Sequence, residues 1–398
     1  MYETEIKALN HQGMGIGRIN NKVVFVEDGL VGEKVLVKIV EDNKKYMVAK
    51  IVKRLTISKD RCKYDCIYYD RCGGCNIASL IYEKQLEFKK GKVIDIFKKY
   101  ADILIDPKII KTNEYHYRNK IVMHVENGKM GYYEKNTNKV VPIDKCLIAS
   151  DTINKILKKI EDNIDLNKVK QIMIRSTYKD SMVVIDGEVD IDSLIKTLEF
   201  VTSIYVNKKL VYGKSKIIEK IGDYLFYISC DSFFQVNTNQ AYNLYNQVLT
   251  YANLNKDDVV LDLYCGTGTI GIYLAKYCKS VLGIEINEMA IMDANENKKL
   301  NNIDNISFIN GSASIINKLE VKANVVVVDP PRSGLDNVTI DTLIKMKVDK
   351  IIYVSCDPMT LSRDIKRLSN VYKLEDITLF DMFAQDYHVE SVCVLNLC

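Results

Sequence analysis

No apolar run in the chain approaches the roughly 20 residues that a membrane-spanning helix requires, and the amino-terminal stretch shows no signal-peptide pattern. No membrane partner is expected, and the cytoplasm is the expected address. A strong excess of charge is also missing. The formal net charge is +4, so a nucleic-acid partner would have to be held by local patches and not by a uniformly basic surface. Lysines cluster at Lys89, Lys90 and Lys92 and at Lys208, Lys209, Lys214 and Lys216, where a solvated face is the expectation. Without a secretory signal, the 11 cysteines do not read as a disulfide framework. The question becomes which of them do chemistry.

The 398 residues, 47% hydrophobic and 27% charged, suit a globular chain too long for one ordinary core, so two or three domains are expected. The stretch VVLDLYCGTGTIGIYLAK, Val259 to Lys276, reads as a buried strand, a tight turn at Gly266-Thr267-Gly268 and a helix start. Glycine there permits positive φ and close approach of a ligand, and the helix start offers unpaired N–H groups. By itself such a turn also serves packing. From about residue 231 onward, however, strands and helices alternate as in a doubly wound parallel sheet. Strand ends carry Glu285, Asp329-Pro330-Pro331-Arg332 and Ser355-Cys356-Asp357-Pro358, and strand ends are where ligands bind in such sheets. Glu285, closing the second strand, suits two ribose hydroxyls because a carboxylate accepts both hydrogen bonds. The turn has no lysine for a phosphate, and its strand carries Asp262 and Tyr264 in place of G-x-G-x-x-G. S-adenosylmethionine is therefore favoured over a nucleotide or NAD.

Upstream, residues 1–57 read as several short strands between glycine turns, a small barrel. Residues 58–230 read as a mixed α+β middle domain, and 231–398 as the α/β domain. A helix is expected from Ser79, as cap, to Tyr100, and another bearing Ile153, Ile156, Leu157, Ile160 and Ile164 on one face. Cys62, Cys66, Cys72 and Cys75 fall within CKYDCIYYDRCGGC, where Gly73-Gly74 gives the last two a tight loop. Four local thiolates suit either zinc or an iron–sulfur cluster, and spacing alone does not choose.

Asp329-Pro330-Pro331 is followed by Arg332, where methyltransferases acting on exocyclic amines often place an aromatic residue, so an amine target is disfavoured. The next strand delivers Cys356. A pyrimidine carbon needs such a group: uracil C5 is a poor nucleophile until a thiolate adds at C6, after which a base must remove the C5 proton.

These motifs carry a resemblance over nearly the whole chain. QGMGIGRINNKVVFVEDGLVGEKVLV resembles the TRAM domain, an OB-like RNA-binding module, and the glycine turn resembles the opening of the class I (Rossmann-like) methyltransferase fold. C-x5-C-G-G-C with one cysteine far downstream is similar to the [4Fe-4S] motif of the RNA 5-methyluridine (uracil-C5) methyltransferase family. The resemblance implies Cys66, Cys72, Cys75 and Cys146 as ligands; Cys62 falls outside it, and its use in place of Cys146 stays open. It further implies Glu390, in His388-Val389-Glu390, as general base beside the nucleophile Cys356, with Gln235 in SFFQVN, Tyr264, Glu285 and Asp329 at the methyl donor. Tyr117-Arg118-Asn119-Lys120 resembles a segment near the substrate pocket, where Arg118 and Lys120 would meet phosphate or uracil. Departures are Ala384 for the usual proline, Asp386 for threonine, and Ser312 where relatives often carry an aspartate for the adenine amine.

The implied partner is RNA, with the target base flipped out or held in a loop; no DNA partner is expected, and the sequence leaves the oligomeric state open. A barrel together with cluster cysteines resembles the 23S rRNA branch more than the tRNA branch. A tRNA enzyme would share every catalytic residue. A non-enzymatic iron–sulfur RNA-binding protein would need neither Cys356 nor Glu390.

Overall fold

The structure, a computed structural model, describes residues 1–319 and 321–398. Its amino-terminal sheet has six strands in the order Tyr2–Glu5, Lys34–Asp42, Tyr46–Arg54, Lys22–Val26, Gly15–Ile19 and Ala8–Leu9. Alternation puts Val24, Val26, Val35, Val37, Met47 and Ala49 inside, the period-2 pattern of a sheet wrapped around its own core.

A seven-stranded sheet follows, ordered Val140–Pro142, Lys129–Tyr133, Lys120–Glu126, Val169–Ser176, Ser181–Gly187, Ser203–Val206 and Lys209–Gly213. The helix Asp151–Asn163 packs on it through Ile153, Ile156, Leu157 and Ile160, as the i, i+3, i+4 spacing predicts. Ser150 caps that helix, accepting from Ile153 N. The helix expected from Ser79 begins later, at Tyr82, with Ile81 at the cap position and no side-chain cap. Ser79 instead accepts a hydrogen bond from the Tyr69 hydroxyl at 3.3 Å. The helix runs to Ile96 and ends in a π-turn, Phe97–Ala101.

The carboxyl-terminal sheet has eight strands, ordered Ile306–Asn310, Ser280–Glu285, Val259–Leu263, Val325–Val328, Lys350–Ser355, Glu390–Leu397, Tyr372–Phe380 and Lys108–Ile110. The first five are parallel and Glu390–Leu397 runs antiparallel to Lys350–Ser355. Fully apolar strands such as Val325–Val328 are buried on both faces, as helices on both sides of a parallel sheet require. The strand Lys108–Ile110, in the stretch assigned to the middle domain, is in fact the last strand of this sheet. Val93 and Phe97, from the helix before it, also join this domain's core. A three-residue strand leaves almost no periodic signal, so its distant partner could not be read from the sequence.

The cluster Lys89, Lys90 and Lys92 is not the solvated face expected of it. Lys89 is fully buried and Lys92 nearly so, and both reach the segment leading to Glu390. No helix among the described residues is long and apolar enough to cross a membrane.

Candidate active site and cysteine cluster

The site lies along the carboxyl ends of the parallel strands. The strand Val259–Leu263 gives way to Tyr264, Gly266 and Gly268, all at positive φ, and the helix Thr269–Ala275 begins there. Glycine is required at 268, where a Cβ would stand 2.6 Å from the Phe308 ring. At Gly266 a Cβ would meet nothing within 4 Å, so the turn borders open space. The Gly266 N–H donates to Glu285 Oε2 at 3.1 Å, which ties the acidic end of the neighbouring strand to the turn. Asp262 is fully buried; Oδ2 accepts from Gly271 N at 2.9 Å while Oδ1 has no partner. Burial, with Asp329 and Glu285 adding, pushes its carboxyl up to about 8. Open space beside Gly266 and a carboxylate tethered to the turn fit a ligand with a ribose. The Tyr264 hydroxyl lies 3.2 Å from Thr339 Oγ1. Ser312 is exposed, and its hydroxyl is engaged at 2.6 Å by Ser314.

Cys356 and Glu390 meet through sheet register. Ser355 pairs with Ser391 across antiparallel strands, so one step further on Cys356 stands opposite Glu390. Glu390 is 6% exposed. Burial, then the Asp329 carboxylate, push its pKa up to about 8, against the pull of Arg332. Cys356 is half-buried and is pushed up to about 11 by burial, with Glu390 and Asp329 adding and Arg332 opposing. Asp329 is raised to about 7 by burial. The thiol and the two carboxyls thus influence one another in a desolvated setting, with the exposed Arg332 acting on Cys356 and Glu390 from the solvent side.

Arg332 is held by a chain the sequence did not disclose. Its Nη2 lies 3.2 Å from His388 Nε2, and His388 Nδ1 lies 2.6 Å from Asp386 Oδ1. Burial alone would raise Asp386, but the hydrogen bond and charge of His388 outweigh it and hold the carboxyl low. With the imidazole neutral, Nδ1–H faces the ionised Asp386 and leaves Nε2 free to accept from Arg332.

Gln235 is half-buried, and its carbonyl accepts from Asn119 Nδ2 at 3.1 Å; Asn119 also reaches Thr238 Oγ1 at 2.9 Å. Asn119, rather than its charged neighbours, therefore joins the Tyr117–Lys120 segment to the Gln235 loop. Arg118 Nε donates to the Lys120 carbonyl at 3.0 Å, and Lys120 is lowered to about 8 by burial, with Arg175 and Arg118 adding.

Cys66, Cys72, Cys75 and Cys146 are partly buried free thiols; Cys72 and Cys146 pack against the middle sheet's core, and Cys75 and Cys146 against the cluster of Tyr82, Tyr117, Ile148 and Ala384. Gly73 N donates to Tyr133 O at 2.9 Å and Gly74 N to Cys72 Sγ at 3.4 Å, so the glycine pair lays the loop on the strand and turns an N–H toward sulfur. Asn154 clamps Cys146, accepting from its N–H at 2.9 Å and donating to its carbonyl at 3.0 Å. Burial raises Cys66, Cys72 (to about 11) and Cys75, and Cys146 adds to all three. The four thiols are thus electrostatic neighbours. Cys62 stands apart: its Sγ donates to Ala78 O at 3.4 Å, and the groups acting on it are Glu114, Arg61 and Asp28. Among the described residues no three His, Cys, Asp or Glu side chains converge as ligands of a single ion.

A doubly wound sheet with this strand order, an acid-tethered glycine turn and a thiol facing a glutamate defines a methyltransferase-type enzyme site. Residues 201–397 match the tRNA (Uracil-5-)-methyltransferase family and residues 1–52 the TRAM domain. A Clostridium tetani protein described as an uncharacterized RNA methyltransferase is 36% identical over 99% of this chain and 96% of its own length. One of Staphylococcus aureus, described likewise, is 33% identical over 98% and 96%. The chain belongs to the RNA (uracil-5-)-methyltransferase family and carries a TRAM domain at its amino terminus. Among solved structures, the tRNA (uracil-54, C5)-methyltransferase of Pyrococcus abyssi, in complex with S-adenosyl-L-homocysteine, is similar over 99% of both chains, with TM-score 0.83 and 30% identity.

Proposed function

We propose that the chain methylates uridine at C5 in RNA, with S-adenosylmethionine as donor, Cys356 as nucleophile and Glu390 as base. The observation that carries this reading is the register that sets Cys356 opposite Glu390 at the ends of paired strands, with Asp329 and Arg332 acting electrostatically on both. S-adenosylmethionine supplies, when bound, a methyl group on an electrophilic sulfonium; Gln235, Tyr264, Glu285 and Asp329 are the residues that would hold it. Arg332 favours the Cys356 thiolate, which forms a bond to uracil C6 while the displaced electrons move to O4. After methyl transfer to C5, the Glu390 carboxylate takes the C5 proton, the C5–C6 double bond re-forms and the thiolate leaves. Burial of Glu390 suits that role, since a raised pKa brings a carboxylate close to neutral pH.

The proposed substrate is 23S rRNA, on the pairing of a TRAM barrel with cluster cysteines. The full-length similarity to the Pyrococcus abyssi enzyme favours a second reading, tRNA. We also assign Cys66, Cys72, Cys75 and Cys146 as ligands of a [4Fe-4S] cluster. What supports the assignment is the C-x5-C-G-G-C spacing together with the electrostatic influence of Cys146 on the other three thiols. Labelled S-adenosylmethionine with each RNA tests the activity, and iron and sulfide analysis of anaerobically purified protein tests the cluster.

A further inference from the structure

The segment between the strands Tyr372–Phe380 and Glu390–Leu397 is held almost entirely by residues far away in sequence. Lys89 Nζ donates to Phe383 O at 2.8 Å, Tyr117 OH to Ala384 O at 2.9 Å and Lys92 Nζ to Tyr387 O at 2.8 Å. Gln385 stands at the centre. It adopts φ +73°, a conformation that a non-glycine residue keeps only when its surroundings hold it there. Its N–H donates to Gln85 Oε1 at 3.0 Å, and Gln85 Nε2 donates back to Gln385 Oε1 at 2.8 Å. Gln85 Nε2 also reaches Leu80 O at 2.9 Å. The Gln385 carbonyl accepts from both Asn76 N, at 2.9 Å, and Ile77 N, at 3.1 Å, the two residues that follow Cys75. Both glutamines are 1% exposed, so these bonds have no water to replace them.

We propose that Gln385 is a positioning residue for the general base: the reciprocal amide pair with Gln85 fixes the strained turn and thereby sets where Glu390 begins its strand. The inference rests on the reading of Glu390 as the group that removes the C5 proton. A hydrogen-bonded loop would satisfy its backbone in many conformations. This one takes a left-handed glutamine, uses both polar groups of its backbone and its Oε1, and turns its Nε2 toward Glu114 O at 3.5 Å, so it is tied to a single geometry. Gln85 lies on the helix Tyr82–Ile96 and Asn76 beside the cysteines, so the base is aligned by elements outside its own sheet.

Because proton removal comes last, misplacing the base leaves the enzyme joined to methylated RNA. Gln385→Gly deletes the amide but relieves the backbone strain, so a folding defect from strain is not expected; Gln85→Ala deletes the other half of the pair. Both variants should lose turnover on the order of ten- to a hundredfold, bind S-adenosylmethionine as wild type does, and accumulate an SDS-resistant protein–RNA adduct. Gln385→Asn, which tolerates left-handed φ and retains an amide, should recover part of the loss. Glu390→Gln is the reference. If it accumulates adduct while the glutamine variants turn over at wild-type rate, or lose methyl-donor binding and thermal stability without adduct, the positioning role is wrong and the base stands. If Glu390→Gln itself forms no adduct, the base assignment fails and takes this proposal with it.

Discussion

The Lys89 ammonium stands 2.5 Å from an Asp381 carboxylate oxygen, and both side chains are wholly buried. The Tyr82 hydroxyl donates to the other oxygen at 2.6 Å. Removing one partner of such a pair leaves a charge with neither water nor counter-ion, so Lys89→Met should cost about 3–5 kcal/mol. Lys89→Met with Asp381→Leu should recover much of it. Urea denaturation of the two variants checks this, and a double mutant no more stable than the single one would contradict it.

The reactivity of Cys356 should report its neighbours. Burial holds the thiol up, Glu390 and Asp329 add to the rise, and Arg332 opposes it. Glu390→Gln should therefore shift the alkylation profile of Cys356 to lower pH, and Arg332→Met to higher pH. Mass spectrometric quantification of the Cys356 peptide after brief iodoacetamide exposure reads both shifts.

Stability should fall as pH rises through the neutral range. Glu390 and Asp329 have folded pKa values raised to about 8 and about 7 by burial. Raised acids bind protons more tightly folded than unfolded, so their contribution is complete below the ordinary carboxylate range and is lost as pH climbs through those values. The stability difference between wild type and Glu390→Gln, from denaturation at a series of pH values, should change in that window in the direction of wild-type loss. A flat difference would remove the desolvation argument.

Metal content should separate the five amino-proximal cysteines. On the proposed cluster assignment, Cys72→Ser loses bound iron, since Cys72 lies among the mutually influencing thiols, whereas Cys62→Ser, bonded to Ala78 O elsewhere, keeps it. Stoichiometric zinc in place of iron would overturn the cluster, and iron lost with Cys62 would restore the alternative ligand.

Much of the sheet was legible because its strands are buried on both faces and so largely apolar: Val325–Val328 without interruption, and Val259–Leu263 broken only by Asp262, stand where their sequence puts them. The glycine turn was legible for a similar reason, since backbone at positive φ leaves a residue-type signature. The candidate site was readable as far as each group sits in a motif at a strand end, as Cys356, Glu285 and Asp329 do. What holds those groups was not. The amide pair of Gln85 and Gln385 joins residues 300 positions apart, and the helix bearing Gln85 shows only an ordinary polar face in sequence. Arg332 was visible in its motif, but its grip by His388 and Asp386 depends on a turn that no local pattern announces. Lys89 looked solvated because a buried lysine and an exposed one read alike until the partner carboxylate is placed.

The most direct measurement of the central claim is to incubate anaerobically purified protein with methyl-labelled S-adenosylmethionine and unmodified 23S rRNA or tRNA, then digest and identify the labelled nucleoside. The account predicts 5-methyluridine from wild type, in 23S rRNA, and none from Cys356→Ala although that variant still binds the donor. The same nucleoside in tRNA alone would keep the chemistry and move the substrate. Label on any other nucleoside, or on none, would contradict the assignment of Cys356 and Glu390.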